Sequence, residues 1–136
     1  MTNATAQRQT AAEPDGQPLD ITVMRRNAAQ LLGPDDGPEA LPPAPQEVVT
    51  LAALLREHLE QLIPAVEAQA RRLPTESIPR YCALACIGEA TRKLRIGDGA
   101  TEPVRLSVAG KLARSVWALC DHYAKLAEAS RASTRP

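Results

Sequence analysis

A long apolar periodicity in the middle of the chain restricts this protein to helical folds. Between Gln46 and Leu73 the apolar side chains recur three or four residues apart, at Val48, Leu51, Leu55, Leu59, Leu62, Val66, Ala70 and Leu73. This spacing puts them on one side of a helix, whereas in a strand alternate residues share a face. Pro64 removes one backbone hydrogen bond, but the apolar register continues beyond it, so we predict a kink and not an end.

Two more helices are predicted after this one, with short turns between them. The third runs from about Ser77 to Ile96, where the glycines of the following turn stop it. The fourth opens at Pro103 and reaches about Ala129, with apolar residues at Val104, Val108, Leu112, Val116, Leu119, Tyr123 and Leu126. The segment from Tyr81 to Gly88 is apolar or small on every side, which is typical of a helix in the middle of a bundle.

The rest of the chain divides into four segments around these helices. Residues 1–19 contain almost no bulky apolar side chain, which predicts a disordered arm. Residues 20–33 are predicted to form a short helix, and residues 34–45 are acidic and rich in proline, which indicates a stiff linker. We assign residues 46–129 to the bundle domain and residues 130–136 to a disordered tail.

The predicted fold class is therefore all-α, an antiparallel bundle of three long helices plus a short N-terminal helix. Asp20 is the predicted N-cap of that short helix. Three long helices leave apolar surface uncovered, so either the short helix packs as the fourth member or the domain dimerises. Ion pairs one helical turn apart are predicted on the surface, at Glu67 and Arg71, Glu89 and Lys93, and Asp121 and Lys125.

The composition fits such a bundle but carries no clear binding signal. Aromatic residues make up 2% and phenylalanine is absent, so the core must consist of leucine, valine, isoleucine and alanine. The formal net charge is zero, yet acidic residues dominate up to Ala70 and basic residues dominate from Arg71 to Arg114. Opposite solvated faces explain this asymmetry, and a basic surface for an acidic partner or a phosphate backbone is the alternative. Because no nucleic-acid motif accompanies the charge, we do not expect a nucleic-acid partner.

Nothing in the sequence places the chain in or across a membrane. No apolar run approaches the roughly 20 residues that a membrane span needs, and the first residues do not resemble a signal peptide. Three cysteines without the density of a disulfide scaffold suit a reducing compartment. We therefore expect a cytoplasmic protein.

The cysteines and histidines are the residues to consider for a metal site. Cys82, Cys86 and Cys120 together with one imidazole would satisfy a tetrahedral zinc ion. Helix lengths place His58 about 16 Å along the bundle from the cysteines, at about 1.5 Å per residue, and His122 points away from Cys120. We expect no metal and no cofactor, and we interpret the cysteines as small apolar residues at close helix contacts. A redox-sensitive pair of Cys82 and Cys120 is the alternative.

No set of residues converges as catalysis requires. Glu89 follows the most apolar segment, and His122 lies between Asp121 and Tyr123, but neighbours on a helix diverge by about 100 degrees. We interpret Glu89 and His122 as surface residues and Tyr123 as a core residue, and we predict no catalytic residue. Trp117 is the single indole; it either anchors an interface or closes one end of the bundle.

Two stretches of the third and fourth helices resemble a known group of proteins. They are Ile78 to Ala90, with the sequence IPRYCALACIGEA, and Ala113 to Tyr123, with the sequence ARSVWALCDHY. With LIPAVE at 62–67, they resemble a streptomycete and actinobacterial family of unknown function labelled as natural product biosynthesis proteins. The resemblance spans Val48 to Leu126. It implies an association with secondary-metabolite gene clusters, and it transfers no catalytic residue.

These observations favour a non-catalytic accessory or protein-interaction bundle with a protein partner or a second copy of itself. A small enzyme or binding protein for an apolar metabolite is the first alternative, and it predicts a cavity near the cysteines and Trp117. A regulatory nucleic-acid-binding protein is the second. The candidate ligand or interface residues are Cys82, Cys86, Glu89, Trp117, Cys120, His122 and Tyr123.

Overall fold

A computed structural model describes residues 19–32 and 43–133, and every regular element in them is a helix. The helices are α1 (Ile21–Leu32), α2 (Pro45–Arg71), α3 (Ile78–Leu94) and α4 (Glu102–Ser133). The predicted all-α class is confirmed. Most of the predicted arm and linker, and the last three residues of the predicted tail, lie outside the described residues.

α2 and α4 form the centre of the bundle, and α1 and α3 flank them. α2 and α4 share the most extensive contact, and both flanking helices pack against this pair. The amide of Gln69 donates a hydrogen bond to the carbonyl of Tyr123 at 3.2 Å, which joins the later parts of α2 and α4. Val48 and Ala52 of α2 and Arg105 of α4 line one small cavity, which joins the earlier parts of the same two helices. α2 and α4 are therefore parallel, and each flanking helix runs antiparallel to both of them. The short N-terminal helix thus packs as the fourth member.

The core contains leucine, valine and many alanines. The predicted apolar positions of α2 are buried from Val48 to Ala70, and those of α4 are buried at Val108, Leu112, Val116, Leu119 and Leu126. Six alanines are completely buried, namely Ala28, Ala70, Ala83, Ala90, Ala109 and Ala113. Such small side chains let helix backbones approach closely. The bundle is therefore filled by leucine from the central pair and by alanine where the helices touch.

Local signals account for most helix ends. The Oδ1 atom of Asp20 accepts a hydrogen bond from the backbone N–H of Val23 at 3.3 Å, as its predicted N-cap role requires. The turn before α4 contains Gly99 with φ of 100°, and an added Cβ there would collide with Val104. α4 continues through residues 130–133, which the sequence assigned to the tail, and its last turn contains alanine and the basic residue Arg131, both of which favour a helix end here.

Arg56 of α2 ties the end of α3 to the centre of the bundle. Its guanidinium donates hydrogen bonds to the carbonyls of Leu94 at 3.0 Å and Ile96 at 2.7 Å. The same group pairs with the carboxylate of Asp98 at 2.8 Å. These carbonyls lie at the end of α3, where the helix itself leaves acceptors without partners. The contact therefore sets the position of the turn between α3 and α4.

Two expectations about buried positions are wrong. The segment from Tyr81 to Gly88 does not lie in the middle of the bundle, because Tyr81 is 73% exposed and Cys82 and Ala85 are also exposed. α3 is a flanking helix and contacts the central pair on one side only. Val104 is exposed as well, since it lies in the first turn of α4 beside Gly99.

Candidate functional site

Three of the predicted site residues lie where α1 contacts α4. Arg25 forms a 2.6 Å ion pair with Asp121, and its guanidinium lies 5.7 Å from the ring centre of Trp117. The N–H of Leu19 donates a hydrogen bond to the hydroxyl of Tyr123 at 3.1 Å. Asp121 was expected to pair with Lys125, but Arg25 takes that role because α1 lies directly over this part of α4. Trp117 remains 38% exposed, although the guanidinium of Arg25 from α1 lies over its ring.

Cys120 lies between these contacts in the core. Its side chain is completely buried, and burial raises the pKa of the thiol to about 11, against the opposing effect of Arg25. A thiol in this state is a small apolar side chain and not a nucleophile. His122 is half-buried. Burial lowers its pKa, and the positive charge of nearby Lys125 lowers it further.

His58 of α2 contacts α1 on a different side from Arg25. The Nδ2 atom of Asn27 lies 2.9 Å from Nε2 of His58, and an amide nitrogen only donates, so this Nε2 accepts and the ring is neutral. The side chain is 8% exposed. Burial lowers the pKa of His58, against the opposing effect of Glu57. The imidazole therefore belongs to the packing of α1 on α2.

Stability should fall when the pH drops below the ordinary histidine value of 6.5. Because the pKa of His58 is lower in the folded state, the unfolded chain binds more protons in this window, and stability rises with pH through it. Urea midpoints measured between about pH 5 and pH 7.5 should show this slope, and H58Q should reduce it. H122Q, which removes the other histidine whose pKa is lowered, should also reduce the slope. A slope that H58Q leaves unchanged would show that His58 does not titrate with unfolding.

The outward side of α3 carries a second apolar surface. We define the outer face of α3 as Ile78, Tyr81, Cys82 and Ala85, which are spaced like the buried side of an amphipathic helix. All four are exposed, and Ile78 and Tyr81 are each 73% exposed. The opposite side of α3 packs into the bundle, with Ala83 and Ala90 completely buried.

The ends of the outer face carry opposite charges. Glu76 precedes the face, and Arg92 and Arg95 follow it, all of them exposed. Glu89 lies between, 3.6 Å from Arg92 and 3.7 Å from Lys93. The face is therefore an apolar patch with an acidic end and a basic end.

A groove of about 450 Å³ runs between α3 and α4 beside the outer face. Cys86 and Glu89 line it from α3, together with Lys93. Arg114 and Ser115 line it from α4. Burial raises the pKa of the Cys86 thiol, and the negative charge of Glu89 raises it further, whereas the positive charge of Lys93 lowers it.

The structure separates the predicted site residues into three groups. Cys82 lies on the outer face of α3, Cys86 and Glu89 line the groove, and Trp117, Cys120 and Tyr123 lie near α1. The seventh residue, His122, is half-buried on α4 and does not line the groove. Sequence reasoning did not select Ile78, Tyr81, Lys93, Arg114 or Ser115. The spacing of Ile78 and Tyr81 with Ala85 was visible in the sequence, but it resembled an ordinary buried stripe.

The described residues contain neither a metal cluster nor a membrane span. Among residues 19–32 and 43–133, no three histidine, cysteine, aspartate or glutamate residues lie together as a metal ion requires. None of the four described helices is both long and apolar enough to cross a membrane. The three cysteines are free thiols.

Comparison with known proteins identifies a family without an assigned role. The model of DUF6415, a family of unknown function, matches residues 22–128, which include α1, α2, α3 and most of α4. No curated protein and no solved structure matches the chain.

Proposed function

Since the chain belongs to this family of unknown function, we propose from its own surface that it is a non-catalytic protein-interaction bundle that pairs with a second copy of itself. The observation that carries this proposal is the exposure of Ile78 and Tyr81 on one side of α3, each 73% exposed. Contiguous apolar side chains on a protein surface mark contact sites for other macromolecules.

The small residues of the outer face favour a helix as the occupant. Cys82 and Ala85 lie between the larger Ile78 and Tyr81 on successive turns. Small side chains allow the backbone of another helix to approach, and large ones on either side fill the space beside it. Tyrosine is enriched among the residues that dominate binding energy at interfaces.

The charges at its ends favour a second copy in the antiparallel direction. A two-fold axis between Tyr81 and Cys82 packs the outer face of one α3 on that of the other, with Ile78 opposite Ala85. In this direction the acidic end of one α3, at Glu76, points toward the basic end of the other, at Arg92 and Arg95. The same pairing occurs twice because a two-fold interface is self-complementary. A parallel arrangement would instead place like charges together.

The pairing is expected to be weak. Two turns of one helix bury less than the roughly 800 Å² per partner of a standard interface, so we expect a reversible equilibrium at about micromolar concentration or above. Sedimentation velocity across about two orders of magnitude in protein concentration measures it directly. The sedimentation coefficient should rise with concentration for the wild-type chain.

Substitution on the outer face should remove this association without unfolding the bundle. Y81E places a charge at the centre of the face, and we expect it to stay monomeric, since truncating a central interface residue costs about 2 kcal/mol or more. The matched control is V49E, which changes an exposed apolar residue of α2 and should associate like the wild type. Circular dichroism checks that both variants remain helical.

Charge reversal tests the direction of pairing. E76K and R92E should each weaken association, and the double variant should recover it, because the opposite charges meet again with exchanged signs. A wild-type chain that stays monomeric throughout, or an association that Y81E leaves intact, would contradict the proposal. In that case the outer face would serve a different protein.

We also propose an accessory role in secondary-metabolite biosynthesis. Its support is the resemblance of residues 78–90 and 113–123 to proteins labelled with natural product biosynthesis. Profiling the metabolites of a strain that lacks the gene tests it, and an unchanged profile would count against this pathway.

A further inference from the structure

The groove between α3 and α4 has the size and the lining of a small-molecule site. Its volume of about 450 Å³ falls within the roughly 300–1,000 Å³ that ligand pockets occupy. Ala85 and Cys86 of α3 and Ala118 of α4 supply apolar surface. A handful of polar side chains beside an apolar lining is the usual composition of such sites.

Ser115 is the first observation that points to a ligand. Its side chain is 8% exposed, and its hydroxyl makes no hydrogen bond within the described part of the chain. Two helical threonines instead donate to the carbonyl four residues earlier, Thr50 to Gln46 at 3.3 Å and Thr91 to Ile87 at 2.8 Å. The hydroxyl oxygen is not one of the buried polar atoms that lack a partner, so it is open to the groove that Ser115 lines and is available to a molecule there.

The charges of the groove are the second observation. Lys93 and Arg114 line it from opposite helices, and Glu89 is the acidic residue beside them. Glu89 lies 3.6 to 3.7 Å from Arg92 and Lys93, so these two cations already oppose its charge. Arg114 forms no ion pair with any described residue. The groove therefore favours an anion.

Cys86 limits the kind of chemistry that the groove supports. Its raised pKa keeps the thiol protonated near neutral pH. The side chain is therefore part of the lining of the groove and does not act as a nucleophile. Glu89, the carboxylate beside it, raises the pKa of this thiol further. Binding, and not reaction, is what these groups support.

We propose that this groove binds a small amphipathic organic anion, a carboxylate or a phosphate monoester. Lys93, Arg114 and the hydroxyl of Ser115 bind the anionic group, and the apolar part lies against Ala85, Cys86 and Ala118. Of the residues around which the sequence predicted a cavity, Cys86 lines this groove, whereas Cys82, Trp117 and Cys120 do not. It does not depend on self-association.

Isothermal titration of the full chain with three probes tests this site. Octanoate supplies a carboxylate, phenyl phosphate supplies a phosphate monoester, and 1-octanol is a neutral analogue of octanoate. Binding of at least one anion and not of the alcohol is expected, and the binding anion identifies the head group. Equal binding of octanol and octanoate, or no binding of either anion at millimolar concentration, would overturn the proposal. Titrations in the Y81E background separate this result from dimerisation.

Matched variants locate the site. R114Q should lower the affinity of the binding anion about tenfold, and S115A should lower it about fivefold, because a charged and a neutral hydrogen bond are lost. R72Q, which changes an exposed arginine at the end of α2, is the control and should bind like the wild type. An affinity that R114Q and S115A leave unchanged would place the anion elsewhere and contradict the assignment.

Discussion

Iodoacetamide should alkylate Cys120 of the folded protein at least about a hundred times more slowly than Cys82, because only the thiolate reacts. Burial raises the pKa of Cys120 from 9.0 to about 11, which makes its thiolate about a hundredfold scarcer near pH 8. The side chain is also completely buried, whereas Cys82 is exposed. Cys86, half-buried and with a raised pKa, should fall between them.

Peptide mapping by mass spectrometry over a time course gives the three rates separately. In strong denaturant the three thiols should react alike, which controls for intrinsic differences between the peptides. If Cys120 matched Cys82 in the folded protein, α1 would not be docked as described, because Arg25 of α1 contacts Asp121 and Trp117, the next residue and the one a turn earlier on α4. Protection of Cys82 that grows with protein concentration would independently support pairing through the outer face.

The central part of this fold follows from the sequence for simple physical reasons. α2 has a strict apolar period, and its positions from Val48 to Ala70 are buried as predicted. Asp20, which caps α1, and Gly99, with its positive φ, are signals that act locally. Such features depend on neighbours within a few residues, so the sequence displays them directly.

The position of α3 could not be predicted in the same way. A segment that is apolar or small on every side is compatible with burial on two sides, or with one buried side and one exposed side. The structure takes the second arrangement, because α2 and α4 pack against each other and α3 packs on one side of this pair. The sequence contains both apolar surfaces of α3, but not which of them the bundle covers.

The contacts of α1, and the residues that line the groove, could not be predicted from the sequence for a related reason. Asp121 has a possible partner one turn away in Lys125, yet it pairs with Arg25, 96 residues earlier. Lys93 and Ser115 likewise meet only because α3 and α4 pack in one particular rotation. Local spacing predicts pairs within one helix, whereas pairs between helices depend on tertiary packing that it does not contain.

L112A should lower the free energy of unfolding by about 2–5 kcal/mol, the range for removing a completely buried leucine. Leu112 lies in α4, the helix that contacts all three others, so neighbouring side chains cannot collapse into the cavity without separating the bundle. For a domain whose total stability is about 5–15 kcal/mol, this loss is large. Urea unfolding followed by circular dichroism measures it.

I78A is the matched control, because Ile78 is 73% exposed and its truncation should change stability by less than about 0.5 kcal/mol. Both variants are compared at a concentration where the wild type is monomeric, so that loss of pairing does not enter the result. At higher concentration I78A should associate less than L112A while remaining more stable. A large loss of stability in monomeric I78A would mean that the outer face belongs to the fold and not to a partner.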